Sequence, residues 1–444
     1  MSNKLFLCKY RIPTLVFMMQ GEYIKMDASN VLSIEKLDDY EFNIRSILKL
    51  TLRLDIRKKL WLMKNKRNII CKFELDRIGM DNTNEEYVTG SENIWNQEFG
   101  IYFNDEEEAA DLSVMEKRIE INEGAELAKD DLDNESYFES QNILDVYLFN
   151  QELLNASKNI FNDIMSTGTL QQYVGKLLTS TKHPKKVLMS KFENNEVYKE
   201  LICPSLPAYK ALIYLDQYYG FYKKGAIIYY DVDCLYIINA NGKLTAKREK
   251  EWPEVTIMST KIDNSTPGNG MFRKEGEKVF YISLPEDNIN PQNFSNQGNA
   301  NIGSEARVVI TDDITIDLSE ADQSYIQQRN EQIVYKTKTD NKYIAEMFKA
   351  RMEEHECVLY ITGNNLDIDA FKPNKLFKVV FEDTTKQKKY GKYKFRLAYA
   401  YTILRLESEH YMSSAHRIVL KRAAESGGST QAESSNGPDQ GRMF

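Results

Sequence analysis

The sequence predicts an α+β chain dominated by β-structure. Three observations carry this expectation. Tyr (27) and Phe (20) are abundant among the 444 residues, while Pro (10) is scarce. Aromatic side chains suit half-buried pleated surfaces, and proline breaks strand ladders. Alternation recurs along the chain, as in Val31, Ser33 and Glu35 against Leu32, Ile34 and Lys36, the two-residue period of a strand. Helical spacing is confined to a few stretches.

Residues 1–79 read as a first β domain. Strands are expected at Leu5 to Tyr10, Leu15 to Met19, Tyr23 to Met26 and Val31 to Leu37. Asp38-Asp39 reads as a turn, and Phe42 to Leu54 as one long strand. Asp55 to Lys66 has the spacing of a short amphipathic helix, and Asn68 to Leu75 returns to strand. Residues 80–143 are acidic, with Asp105-Glu106-Glu107-Glu108 and an apolar group of Trp95, Phe99, Ile101, Tyr102 and Phe103. They read as a solvated insertion or linker.

Residues 144–252 form a middle unit of a helix pair and an aromatic hairpin. Leu153, Leu154, Ile160, Phe161, Ile164 and Met165 share one helical face, with Ser166-Thr167-Gly168 as its stop. Thr169 caps a second helix with Leu170, Tyr173, Val174, Leu177 and Leu178 as its stripe. An extended lead over 197–210 enters Tyr214-Leu215-Asp216, then Tyr219-Gly220-Phe221-Tyr222. Strands at Ala226 to Tyr230 and Leu235 to Ile238 then pair around Asp231-Val232-Asp233, closed by Asn241-Gly242.

Residues 253–356 return to β-structure, with an Asn/Gln/Gly/Pro-rich loop at 288–303 and helical spacing over Tyr343 to Glu356. Residues 357–422 form a compact second β module. Its elements are strands at Val358 to Thr362 and Leu376 to Phe381, a basic turn over Lys388 to Lys392, and long strands to Leu406 and Leu420. Residues 423–444 carry no apolar period and read as a disordered tail.

The chemistry classes that leave a local signature are absent. There is no phosphate-binding loop, nucleophile elbow or HExxH. Five scattered cysteines without a CxxC pair read as reduced, buried thiols of a cytoplasmically made protein. His183, His355, His410 and His416 have no usual metal spacing. Two Asp-x-Asp pairs, Asp231/Asp233 and Asp367/Asp369, have the residue types that hold Mg²⁺ or Ca²⁺. They read instead as alternate residues on an exposed strand face or turn. No metal and no cofactor is expected, and no enzyme. A net charge of −8 disfavours a nucleic-acid-coating role, and no apolar run reaches membrane-spanning length.

The segment from Tyr214 to Ile238 resembles the middle segment of central baseplate hub proteins of contractile-tailed bacteriophages. The order of strands in 4–75 resembles their first tube-like domain. The run from Val358 through Gly391-Lys392-Tyr393 resembles their second small barrel. The resemblance implies two tube-like β-barrel domains with an inserted helical and hairpin middle domain. It implies a homotrimer whose two tube-like domains per chain make a pseudo-sixfold ring between the tail tube and the spike. DNA and the tape-measure protein would pass through that ring. Other baseplate subunits would be neighbours, and the virion tail baseplate the location. The structural and interface candidates are then Tyr214, Asp216, Tyr219, Gly220, Phe221, Tyr222, Tyr230, Tyr236, Gly391 and Tyr393. Phe42 to Leu54 and Tyr393 to Leu406 would be wall strands whose open edges pair between neighbours. A tail-associated cell-wall hydrolase and another tube or adaptor subunit are the alternatives.

Overall fold

In chain order the strands begin β1 (Phe6–Met19), β2 (Glu22–Lys25), β3 (Val31–Asp39) and β4 (Ile47–Arg53). Helix α1 (Ile56–Asn65) leads to β5 (Ile70–Asp81), β6 (Glu92–Tyr102) and β7 (Ile143–Asn150). The computed structural model describes residues 6–41, 43–65, 68–81, 90–103, 143–151, 155–156, 159–182, 186–240, 255–260, 270–273, 280–292, 307–309, 331–333, 343, 357–408 and 411–423. The acidic run at 105–108, the Asn241-Gly242 turn, the helical spacing after Tyr343, three of the four histidines and the tail lie outside them.

The middle of the chain supplies β8 (Ile160–Thr169), α2 (Leu170–Ser180), β9 (Val187–Met189), β10 (Val197–Pro207), α3 (Ala208–Tyr219), β11 (Ala226–Tyr230) and β12 (Leu235–Asn239). Then come β13 (Val255–Thr260), β14 (Gly270–Arg273), β15 (Phe280–Pro285), β16 (Ile289–Gln292), β17 (Arg307–Val309) and β18 (Glu331–Ile333). The C-terminal part carries β19 (Val358–Asn364), β20 (Leu376–Val380), α4 (Thr384–Tyr390), β21 (Lys394–Leu406) and β22 (Met412–Arg422).

Eight antiparallel strands close a barrel in the order β21, β3, β4, β7, β6, β5, β1, β22, with β22 pairing back onto β21. Alternation makes its core. In β4, Leu48, Leu50 and Leu52 point inward while Ile47, Lys49 and Thr51 are half-buried. Phe73 of β5 meets Trp95 and Phe99 of β6 at ring separations of 6.1 and 6.4 Å. The lumen is therefore filled with side chains, as barrels of this size usually are.

β21 and β22 are long enough to carry further strands beyond the barrel. Tyr399 to Arg405 of β21 pair with β3, whereas Leu376–Lys378 of β20 pair with its first residues. On β22, Met412 pairs with β1, whereas Ala415 to Lys421 pair with β19. From β20 the ribbon runs through β13 to β15, and from β19 to β16. β15 and β16 are joined by a single 3-10 turn at Glu286–Asn288. These strands extend the sheet outward from β21 and β22, and β14 returns from β15 to pair with Phe6 of β1 through Met271, while β15 and β16 are not paired with each other among the described residues.

The fold is β-dominated, as the sequence predicts, and five local expectations are corrected. The face read as a helix from Leu153 to Met165 contains β8 instead. Its backbone pairs with β10, and Phe161 is buried while Ile160 and Ile164 are exposed, a two-residue period that overrides the helical spacing. Asp38-Asp39 is not a turn but the end of β3, where Asp38 is buried. The long strand from Phe42 begins only at Ile47. The basic turn at Lys388 is helix α4, started by Asp383, whose side chain accepts from the Thr385 and Lys386 amides. Trp95, Phe99 and Phe103 lie in the barrel core, so the stretch read as the start of a linker is wall strand β6. The Thr169 cap is as expected, with Gln172 completing a capping box.

Candidate functional site

The middle unit has its own core, built from α2, α3 and the β8–β10 ribbon. The β11–β12 hairpin divides that core from the barrel core. Ile227, Tyr229, Tyr236 and Ile238 belong to the barrel side, and Tyr230, Leu235 and Ile237 to the other. All five residues of β12 are buried, which explains a strand that runs apolar from Leu235 to Ile238 rather than alternating. One edge of the hairpin is stitched to the barrel. The Tyr230 amide donates to the Ile44 carbonyl (2.9 Å), and the Ser46 amide donates to the Tyr230 carbonyl (2.8 Å).

The tip of this hairpin opens a buried chain of charges. Tyr229 donates its hydroxyl proton to Asp38 Oδ1 at 2.9 Å, and Asp38 pairs with Lys36. Lys36 Nζ is 2.9 Å from Asp231 Oδ1, whose other oxygen faces Lys372 Nζ at 3.7 Å. Lys372 also faces Asp233 at 3.6 Å and Asp369 at 3.2 Å. Lys186 pairs with Asp233 from the surface. Beyond Asp369, Lys375 donates to the Asp369 carbonyl, and Arg77 of β5 joins Asp367 to Glu92. Strands β3 and β5 of the barrel, the hairpin turn and the loop before β20 are thereby cross-linked by one network.

The two Asp-x-Asp pairs are corrected here. They do not lie on an exposed face: Asp231 is 4% exposed and Asp367 2%. They converge on Lys372, which stands three residues after Asp369. Burial alone pushes Asp231 up, but Lys36 and Lys372 outweigh it and hold the carboxyl well below the usual range. Burial pulls Lys372 down, and the surrounding carboxylates with Tyr236 raise it well above the ordinary lysine value. Lys375 is desolvated without full compensation and falls to about 8. The carboxylates are answered by ammonium and guanidinium groups, and no metal-holding group of three or more His, Cys, Asp or Glu occurs among the described residues. What the arrangement does is fix these four elements in register, because separating any of them strands a buried charge. Sequence reading missed Lys36, Arg77, Lys372 and Lys375; the Asp369-Lys372 spacing beside an Asp-x-Asp was the available signal.

The expected interface residues split by burial. Asp216 is buried and its Oδ1 accepts from the Phe221 amide at 2.9 Å, closing the end of α3. Gly220 follows with φ 70 and ψ 117. Phe221 stacks on Phe192 at 4.4 Å. The Tyr222 hydroxyl accepts from Ser190 Oγ (2.7 Å) and lies 2.9 Å from the Ser190 carbonyl. Tyr230 and Tyr236 are buried. Tyr214 and Tyr219 remain half-buried, the first pairing with exposed Tyr218 at 4.4 Å and the second with Tyr198 at 5.2 Å. Gly391 ends α4, where a Cβ would meet the Gln387 side chain at 2.2 Å. Tyr393 lies under the Arg422 guanidinium at 4.3 Å. The five cysteines are buried and none is in a disulfide.

Residues 8–423 match the family described as Bacteriophage PBS1 gene 109 protein. No protein of curated function matches the chain in sequence. Among solved structures it is similar to the tail protein from Neisseria meningitidis MC58, at 11% identity over 93% of this chain and 96% of that one, with a TM-score of 0.44. It is similar to the 43 kDa tail protein of prophage MuSo2 from Shewanella oneidensis, at 9% identity over 91% and 96%, with a TM-score of 0.44. The E. coli c3393 protein, a component of the type VI secretion system, is similar at 7% identity over 90% and 76%, with a TM-score of 0.37. With 416 consecutive residues of 444 matched, from 8 to 423, the chain belongs to the Bacteriophage PBS1 gene 109 protein family.

Proposed function

We propose that this chain is a structural subunit of a phage tail, a baseplate hub that joins the tail tube to the spike in a ring of three copies. The observation that carries the reading is a closed eight-stranded barrel whose walls β21 and β22 continue into a second β-ribbon. In this reading the barrel and the second ribbon each supply one wall segment, and two per chain give six around a threefold ring, which suits a sixfold tube above and a threefold spike below. The barrel lumen is packed with side chains, so DNA and the tape-measure protein would pass between copies, not through a single chain. The expectation that wall strands pair edge-to-edge between neighbours needs correction. β4 is bonded on both sides by β3 and β7, and β21 by β22 and β3.

Ring contacts in this reading therefore use side-chain faces. The outer face of the β8–β10 ribbon is the apolar surface assigned to the neighbouring copy. Ile164 (59% exposed) stands directly opposite Ile202 (44% exposed), with Ile160 (68% exposed) beyond. Light scattering on the purified chain tests the assembly. A trimeric mass with a central hole in negative-stain averages is the expected result. Replacing Ile164 and Ile202 together by Lys should return it to monomer. A monomeric wild-type chain that clears bacterial cell-wall suspensions would replace the hub by a hydrolase.

A further inference from the structure

The turn between β1 and β2 faces helix α1 across an open cleft of about 490 Å³. We propose that this cleft docks an acidic segment of a partner protein, one that carries a single apolar anchor residue.

The floor is apolar. Trp61 and Ile24 are partly buried against the barrel core. Tyr23 stands 71% exposed at the rim, an unusual place for a large ring without a partner. The wall is cationic. Helix α1 carries Arg57 and Lys58 at the cleft and no acid in its first turn, within a chain whose net charge is −8. Lys58 is held by Asp55 at 3.4 Å. Arg57 has no carboxylate partner among the described residues. Its planar fork is the side chain best suited to a carboxylate.

The cleft already accommodates one carboxylate. Glu22 accepts from Trp61 Nε1 at 3.2 Å. Glu22 sits on an exposed strand end, so an incoming acidic side chain can take its place at the indole while a second reaches Arg57. An apolar side chain between them covers Trp61 and Ile24. A nucleic acid fits less well, because its evenly spaced phosphates would meet Glu22 without an exchangeable group. The proposal does not depend on ring assembly, since the cleft lies within one chain.

The test is fluorescence anisotropy with the full chain and a labelled Glu-Glu-Leu-Glu-Glu peptide, in low and high salt. Binding should weaken as salt rises. Arg57→Glu should weaken it by about tenfold or more. Trp61→Ala should do the same, and Glu22→Gln should tighten it by removing the internal competitor. Arg57 and Glu22 are exposed, so those two variants remain informative if Trp61→Ala does not fold. No binding up to about 1 mM peptide, or equal binding by wild type, Arg57→Glu and Glu22→Gln, overturns the proposal. Tighter binding of an oligothymidylate at the same residues overturns it in favour of single-stranded DNA.

Discussion

Lys372 is the residue on which the buried network turns. It faces Asp231, Asp233 and Asp369 together. Lys372→Met should cost about 3–5 kcal/mol, the range for stranding a buried charge, read as a lower denaturation midpoint at unchanged slope. Gly220 is the second point. At φ 70 and ψ 117 an L side chain is strained, so Gly220→Val should lose about 1–3 kcal/mol, with insolubility as the extreme. His416 gives a pH signature. Its ring is buried between Thr402 Oγ1 (3.0 Å) and Ser414 Oγ (2.9 Å), and burial pulls its pKa down to about 3. Between an unfolded value of about 6.5 and that folded value, only the unfolded chain takes the proton. Stability should fall with acidification in that window by up to about 1.4 kcal/mol per pH unit. Asp231 and Asp369, both held low, add their loss only below about pH 4. His416→Gln should flatten the slope between pH 6 and 4; an unchanged slope would refute the assignment.

At the scale of elements, β21 joins the barrel, through β3 and β22, to the second ribbon, through β20. Ala400 pairs with Ile418 on one side and Asp38 on the other. Ala400→Pro removes an amide and should abolish soluble expression, because a central strand has no tolerance for the missing donor. The same substitution at Ser205, in the β8–β10 ribbon where the register slips between Cys203 and Leu206, should leave folding intact. Soluble yield and circular dichroism compare the two. The strand periods of β3, β4, β19 and β22 were legible because each alternates. β8 was not, since Ile160, Phe161, Ile164 and Met165 satisfy a helical face as well as a strand. Pairing with β10 selects the strand, and the paired residues lie 28 (Thr169 and Val197) to 47 (Ile160 and Pro207) positions apart in sequence.

For the whole molecule, the hairpin β11–β12 contributes to two cores at once. The middle unit and the barrel should therefore unfold in one calorimetric transition. A separate, earlier transition for the middle unit would show that the ionic seam and the shared hairpin do not couple them. The ring proposal adds that this transition should rise with protein concentration if the copies stabilise one another.

Composition and periodicity by themselves determined a β-dominated chain, the middle hairpin, the Thr169 cap and a set of buried thiols, because each depends on residues close in sequence. Only the tertiary structure decided that Trp95 and Phe99 belong to the barrel wall. It also decided that β21 and β22 close the barrel and continue into a second ribbon, and that Asp231 and Asp367 are drawn into one buried network with Lys36, Arg77 and Lys372. Those outcomes rest on strand partners and counter-charges far apart along the chain. A local pattern states which face of a segment is apolar or charged, and the fold decides what that face meets.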